Sequence, residues 1–271
     1  MKDRNSGKRP RLRQSRARNA GPSPGLRRDP AEIIGMRLNK YIAHSGICSR
    51  RQAAEYVKDG LVKVNGRLEQ NPAYQIQEGD VVTFRGKKVE PEADFVYVLL
   101  NKPRGVITTM SDERNRRTVM DVLGDAVPQR IFPVGRLDRD TTGLLLLTND
   151  GDLAKKLMHP SHEVPKVYVA TLDKPLSNAH LQQIEKGLTL EDGPVGVDWI
   201  NFSDEKNRNQ VSLEIHQGRN RIVRRIFEHV GYEVVKLDRT YLAGLNKKDL
   251  PRGYFRYLNE KEIIMLKHFV K

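Results

Sequence analysis

The sequence predicts an α+β protein in which a small N-terminal module precedes a larger domain with a mixed, largely antiparallel sheet. Several segments read as strands, namely VYVLLNK, GLLLLTN, KVYVATL, QVSLEI and EVVKL. Others have helical periodicity, namely DLAKKLM, NAHLQQIEKGL, RIVRRIFEHV and KEIIMLKHF. Their order shows no regular βαβ alternation, which favours α+β over a doubly wound sheet. A joint rich in Pro and Glu at residues 89–94 separates the module, 36–88, from the larger domain, 95–271.

The charge balance favours a polyanionic partner. The 271 residues carry a formal net charge of +14, with a pI near 9.8. Nucleic acid is the favoured partner, and an anionic membrane surface is the main competitor. No stretch approaches the ~18 apolar residues of a spanning helix, and the N-terminus lacks the apolar core of a signal peptide. The single cysteine, Cys48, forbids an intrachain disulfide, so we expect a reducing, cytoplasmic location.

Residues 1–35 are predicted to be a disordered basic arm. They hold ten Lys or Arg against three acidic residues, so half of the net charge lies in this short segment. Its composition offers too little apolar surface to fold, but its cations could lie along phosphates. A solvated tail without a specific target is an equally good interpretation.

The module at 36–88 has the pattern of two short helices and a small sheet. Leu38, Tyr41 and Ile42 recur at helical spacing, and Ser49 is a candidate N-cap for a second helix. The strand-like LVKVNGR contains Asn-Gly, a strong hairpin signal.

Three basic residues of this module are candidates for phosphate contacts. Arg50 and Arg51 open the second helix, where exposed side chains could reach a phosphate, and Lys40 widens the patch. The alternative is an ordinary solvated face.

The densest polar segment of the larger domain is GRLDRDTTG, directly before an apolar strand. It places Asp138 and Asp140 on irregular backbone at a sheet edge, where side chains are often presented to substrate. A carboxylate there could act as a nucleophile, general base or metal ligand. A turn capped by Asp is the alternative.

Other chemistries have weak or no signatures. GxGxxG, GxxxxGK[ST], HExxH and CxxC are all absent. Asp138 to Thr142 fits DxDxT, the signature of Mg²⁺-dependent aspartyl-phosphate phosphatases, but that family's Asp ends a buried strand and its downstream GDxxxD is missing. His159 and His162 have no nearby partner to complete a metal set, so a surface or capping role is expected.

The second basic constellation is EIHQGRNRIVRRIFEHVG. Read as a helix from about Asn220, it carries positions 221, 224, 225 and 228 on one polar side. Residues 222, 223, 226, 227 and 230 form the apolar stripe that faces a core. The arginines suit phosphate or a carboxylate partner, with a solvated basic face as the alternative.

Together these motifs resemble a known family. RLNKYIAHSGICSRRQAAEYVKDGLVKVNG is similar to the RNA-binding module shared with ribosomal small-subunit protein S-four. LNKPRGVITT, GRLDRDTTGLLLLTNDGD, KVYVATL and QGRNRIVRRIFEHVGYEVVKLDRT resemble, in order, the motifs of the ribosomal RNA pseudouridine synthases that carry such a module. The resemblance covers nearly everything from Arg37 onward and does not extend to the basic arm.

The resemblance implies roles for individual residues. Asp138 corresponds to the catalytic aspartate, and Arg224 to the basic residue that pairs with it. Tyr168 corresponds to the aromatic that stacks on the target base and is a candidate for proton removal. The implied substrate contacts are Arg136 near the flipped-out nucleotide, Val223 on the uracil pocket, and Lys102 of the first motif.

The implied reaction detaches uracil from its ribose, rotates it and rejoins it through carbon. It needs no cofactor, and we expect no metal, no membrane and a monomer that binds ribosomal RNA. The 23S molecule is favoured over 16S because RLNKYIAHSGICSRR and GYEVVKLDRT look most like large-subunit enzymes. A non-catalytic ribosome-binding or assembly factor on the same fold remains an alternative.

Overall fold

The structure, a computed structural model, describes residues 27–204 and 206–269. Its described residues divide into two compact units: an N-terminal unit of 27–96 with 128–131, and a C-terminal unit of 97–127, 132–204 and 206–269. The domain boundary predicted between 94 and 95 thus lies two residues before the one seen. Across the described ranges, no helix is both long and apolar enough to cross a membrane.

The N-terminal unit contains two helices and a four-stranded antiparallel sheet in the order β2-β1-β3-β4. The elements are α1 (Leu38–His44), α2 (Arg50–Lys58), β1 (Val62–Val64), β2 (Arg67–Leu68), β3 (Val82–Phe84) and β4 (Lys87–Lys88). Their apolar faces enclose one small core. This is the arrangement predicted for the module.

Local signals place the ends of these elements. The Ser49 hydroxyl accepts a hydrogen bond from the Gln52 amide at 3.2 Å, so Ser49 caps α2 as its residue type predicts. Asn65 and Gly66 both have positive φ, 52° and 77°, the backbone that a tight hairpin between β1 and β2 requires.

Residues before 36 already form defined structure, so the predicted disordered arm, 1–35, extends too far towards its C-terminal end. Residues Pro30–Glu32 form a 3-10 turn, and the Asp29 carboxylate caps it by accepting from the Ala31 amide at 2.9 Å. The Gly35 amide then donates to the Ile76 carbonyl at 2.8 Å. A local cap and a backbone bond therefore order this stretch despite its polar composition. The prediction for residues 1–26 lies outside the described residues.

The C-terminal unit is built on a nine-stranded mixed sheet. Its main path runs β11-β12-β8-β13-β7-β5-β15, with β14 on β13 and β6 on β7. The parallel pair is β13 with β7, and the other neighbours are antiparallel. The strands are β5 (Tyr97–Lys102), β6 (Phe132–Pro133), β7 (Thr141–Thr148), β8 (Lys166–Leu172), β11 (Trp199–Phe202), β12 (Gln210–Ile215), β13 (Val234–Leu242), β14 (Leu245–Asn246) and β15 (Phe255–Tyr257). The predicted mixed, largely antiparallel sheet is confirmed.

Helices and a small hairpin complete this unit. The helices are α3 (Val119–Leu123), α4 (Gly151–Met158), α5 (Asn178–Glu185), α6 (Ile222–His229) and α7 (Glu260–His268). The hairpin pairs β9 (Leu188–Leu190) with β10 (Gly193–Val195). All five apolar positions predicted for α6 and its C-terminal end are buried.

Strand β7 lies inside the sheet, between β13 and β5, and all eight of its residues are buried. The aspartate segment therefore enters the end of an interior strand, and the prediction of a sheet edge was wrong. Gly143 has φ +107°, and a Cβ there would lie 2.2 Å from the Arg239 carbonyl oxygen. Only glycine allows β13 to approach β7 this closely.

Candidate active site

A cavity of about 1300 Å³ opens in the C-terminal unit. Its lining includes Asp138 and Arg136 from the segment before β7, Tyr168 from β8, Arg239 from β13, and Arg221 from the turn before α6. The fold thus brings the predicted catalytic motifs to one concave surface, the usual form of a small-molecule or nucleotide site.

The aspartate segment is fixed by hydrogen bonds to the first motif. The Thr108 hydroxyl donates to the Leu137 carbonyl at 2.8 Å and accepts from the Leu137 amide at 3.2 Å. Leu137 itself is buried. This reciprocal pair pins the backbone next to Asp138, so its carboxylate has a defined position on the cavity wall.

Arg221 is the arginine that faces Asp138. Its Nη1 lies 3.7 Å from Asp138 Oδ2, and both side chains are partly exposed. Arg221 has φ +48°, a left-handed conformation that turns the chain just before α6 begins. The same guanidinium lies 3.9 Å from Glu228, so it bridges the helix and the aspartate segment.

Arg224, the predicted partner of Asp138, pairs with Asp140 instead. The distance from Arg224 Nη2 to Asp140 Oδ2 is 2.6 Å, and Arg224 also donates to the Val234 carbonyl. Its side chain is only 6 % exposed, so it does not lie on a polar helix face. Arg224 is buried because it makes these two contacts, and the predicted pairing with Asp138 is wrong in this structure.

Arg225 faces the β9–β10 hairpin. Its guanidinium binds both carboxylate oxygens of Asp192, at 2.6 and 2.9 Å. This hydrogen-bonded pair lowers the pKa of Asp192 to about 2. Arg225 therefore connects α6 to the hairpin rather than extending towards phosphate or solvent.

Tyr168 lies on the cavity wall as a mostly buried side chain. Its hydroxyl accepts a long hydrogen bond, 3.5 Å, from Arg239 Nη1. The position is compatible with stacking on a base that enters the cavity, a role that stays a prediction.

Lys102 is buried, and the prediction that it contacts substrate does not fit its surroundings. Its side chain has 0 % exposure, and its Nζ donates to the carbonyls of Thr141 at 2.7 Å and Pro103 at 3.2 Å. Burial lowers the pKa of Lys102 to about 8, although the carboxylates of Asp140 and Asp138 partly offset this. Lys102 thus holds the start of β7 from inside the sheet.

The two remaining predicted substrate contacts of this unit, Arg136 and Val223, lie in different surroundings. Arg136 is exposed and lines the cavity, where a nucleotide could reach it. Val223 is buried among the apolar residues of α6, and its neighbour Ile222 forms the cavity wall. Val223 is thus one position removed from the wall because the helix turns its side chain towards the core.

The predicted RNA contacts of the N-terminal unit occupy its helices. Arg50 and Arg51 are exposed at the start of α2, and Lys40 is half-buried on α1. Their role in binding RNA stays a prediction.

Some features of the site were not predicted. Lys166 and Arg239 both line the cavity, 73 residues apart in the chain. Asp198, Glu214 and His216 bring ligand atoms within 4.8 Å of one another, with 2.9 Å between His216 Nδ1 and Asp198 Oδ1. Such convergence across strands leaves no signal in local spacing. By contrast His159 caps the 3-10 turn Pro160–His162, accepting from the Ser161 amide, which confirms the expected capping role.

Comparison with known proteins agrees with this geometry. Residues 96–229 match the family model described as RNA pseudouridylate synthase, and residues 36–82 match the S4 domain. The chain is 45% identical over 234 residues to "Ribosomal large subunit pseudouridine synthase B" of Bacillus subtilis, covering 85% of this chain and 95% of that protein. It is 38% identical to "Dual-specificity RNA pseudouridine synthase RluF" of Escherichia coli, covering 85% and 78%.

A solved structure is also similar. The crystal structure of a pseudouridylate synthase matches with a TM-score of 0.62 and 30% identity, over 85% of this chain and 99% of that one. The chain therefore belongs to the family of RNA pseudouridine synthases with an N-terminal S4 domain, and it is an enzyme of that class. The DxDxT match is coincidental, since Asp138 precedes a buried strand instead of ending one.

Proposed function

We propose that this enzyme isomerises one specific uridine of ribosomal RNA, in the large-subunit 23S molecule, with Asp138 as its catalytic carboxylate. The observation that carries the proposal is the position of Asp138 on the wall of a cavity that also contains Tyr168 and Arg221. The name of one relative, a ribosomal large subunit enzyme, favours ribosomal RNA as the substrate.

The target uridine must leave its helix to enter this cavity. Unstacking a nucleotide costs a few kcal/mol, and stacking on an aromatic side chain returns about 1–3 kcal/mol per base. Tyr168 is the aromatic that can supply this contact, and Arg136 is an exposed cation beside the same opening. The two residues would hold the flipped nucleotide while its glycosidic bond is exchanged.

Asp138 would supply the reactive group. A carboxylate can attack the sugar or the base, or remove a sugar proton, and it needs a fixed orientation for each. Thr108 fixes the adjacent backbone, and Arg221 orients the carboxylate from 3.7 Å. The chain's own side chains thus provide a nucleophile or base, an orienting cation and a stacking surface.

The N-terminal unit would contribute affinity and site choice. Arg50 and Arg51 present two adjacent exposed cations at the start of α2, and each could neutralise one phosphate. We also propose that the enzyme acts in the cytoplasm, since its proposed substrate is ribosomal RNA. We propose that it is a monomer.

The test is to map pseudouridine in ribosomal RNA from cells that lack the gene. We expect one pseudouridine to disappear from 23S rRNA and to return when the wild-type gene, but not Asp138→Asn, is supplied. Loss of a site in 16S rRNA instead would refute the choice of subunit. An unchanged map of both molecules would refute the proposed function.

A further inference from the structure

Two cations to which the proposed reaction assigns no role, Lys166 and Arg239, line the same cavity. Lys166 begins β8, and Arg239 lies on β13, the antiparallel neighbour of β8 in the sheet. Both side chains line the cavity that holds Asp138, and Arg239 is only 3% exposed. Buried cations are costly unless a partner compensates them, so their placement calls for an explanation.

Arg239 keeps one donor group without a partner. Its Nε donates to the Leu144 carbonyl at 2.7 Å, and its Nη1 to the Tyr168 hydroxyl at 3.5 Å. Its Nη2 is buried and has no hydrogen-bond partner among residues 27–204 and 206–269. A buried charged donor without a partner carries the full penalty of its desolvation, which is larger than that of a neutral group. The guanidinium is held through Nε and Nη1, and Nη2 is its spare donor group.

Lys166 also uses only part of its capacity to donate hydrogen bonds. Its Nζ donates to the carbonyls of Val164 at 2.7 Å and His216 at 2.9 Å, and an ammonium carries three donors. Burial, and then the neighbouring charge of Arg239, lower the pKa of Lys166 to about 8. Within the described part of the chain, neither cation forms an ion pair with a carboxylate.

We propose that Lys166 and Arg239 together bind a phosphate of the substrate RNA, beside the nucleotide that enters the cavity. The N–H groups of Arg239 Nη2 next to the point charge of Lys166 suit the several oxygens of a phosphodiester. Binding this anion would satisfy the spare donors and relieve the repulsion between the two cations. The inference rests on the proposed function only in taking RNA as the substrate, and it assigns the pair to binding rather than to bond exchange.

The test is phosphate-ethylation interference on ribosomal RNA transcripts, which requires neither turnover nor an identified target uridine. Ethylation removes the charge of single phosphates, and those that the protein requires become depleted from the bound fraction. We expect wild type to require a discrete set of phosphates. Lys166→Met and Arg239→Lys should both lose the requirement for the same one, with dissociation constants raised about tenfold. Lys186→Met, on an exposed lysine at the end of α5, should keep the complete wild-type pattern.

Thermal unfolding of each variant verifies that the fold is retained. Lys166→Gln replaces Lys166→Met if the methionine variant does not fold. Arg239→Lys provides a second interference pattern, from a variant that conserves the positive charge. Interference patterns identical to wild type in both variants would overturn the proposal. A gene deletion that leaves every pseudouridine in place would refute the proposed function, but it would not alter this binding result.

Discussion

Arg224 forms its ion pair with Asp140, at 2.6 Å, while Asp138, two residues earlier in the chain, faces Arg221. Two neighbouring aspartates thus have separate arginine partners on the same helix and its preceding turn. Arg224 is buried, and Arg221 is partly exposed on the cavity wall. One pair therefore stabilises the fold, and the other orients the group that we propose to be catalytic.

Replacing these two arginines should separate stability from turnover. Arg224→Met leaves the buried Val234 carbonyl and the Asp140 carboxylate without their donor, so we expect a loss of about 1–3 kcal/mol in unfolding free energy. Arg221→Met should change stability by less than about 0.5 kcal/mol, as is usual for surface positions, yet lower kcat. Urea unfolding and single-turnover assays measure both quantities. Equal losses of stability in the two variants would contradict the assignment.

Replacing the two aspartates provides a second comparison. Asp138→Asn keeps the shape of the side chain but removes the charge that nucleophilic or base chemistry needs, so isomerisation should fall below detection while RNA affinity is retained. Asp140→Asn should retain measurable turnover and lose stability, since it weakens the pair with Arg224. Turnover of Asp138→Asn within about tenfold of wild type would exclude Asp138 as the essential group. A tenfold change in rate corresponds to about 1.4 kcal/mol of activation free energy.

Gly143→Ala should be strongly destabilising. The added Cβ would meet the Arg239 carbonyl oxygen at 2.2 Å, and φ at this position is +107°, so β7 and β13 would have to separate. We expect a loss of about 4 kcal/mol or more, or failure to fold. Gly218→Ala is the control, because a Cβ at that position would have nothing within 4 Å and its φ is ordinary. Wild-type stability of Gly143→Ala in urea would contradict the close approach of the strands.

The buried amine of Lys102 should make stability depend on alkaline pH. Its pKa is about 8 when folded, against 10.5 for an ordinary lysine, so between these values the unfolded chain binds more protons. Unfolding free energy must then rise with pH across this window. The stability of wild type relative to Lys102→Met should therefore increase from pH 8 to pH 10. Denaturant titrations of both proteins at each pH measure the difference, and a constant difference would show that Lys102 does not titrate there.

Arg50 and Arg51 should contribute affinity without chemistry. Replacing both with Gln should weaken RNA binding and reduce the slope of log affinity against log salt by about 0.7 for each single-strand phosphate that is no longer neutralised. Turnover at saturating RNA should be unchanged. Arg67→Gln, an exposed arginine on β2, is the control for charge alone. An unchanged salt slope in the double variant would mean that the start of α2 is merely solvated.

Local sequence was sufficient to predict much of this protein. The Ser49 cap, the Asn-Gly turn and the apolar stripe of α6 act over a few residues, so periodicity and residue type identify them. The absence of a regular βαβ alternation likewise predicted an α+β fold, and the ordered motifs predicted the family. Asp138 could be singled out because a polar turn directly precedes an apolar strand.

Only the tertiary structure decided which charges meet. Three arginines lie among the five residues 221–225, but they have different partners. Arg221 faces Asp138, Arg224 is buried and pairs with Asp140, and Arg225 is held by Asp192 of a distant hairpin. Lys102 was predicted to contact substrate, but the fold buries it and places its Nζ against the carbonyls of Thr141 and Pro103. Lys166 and Arg239 become neighbours through the pairing of β8 with β13. Side-chain pairing depends on distances between elements far apart in the chain, and local spacing carries no information about those distances.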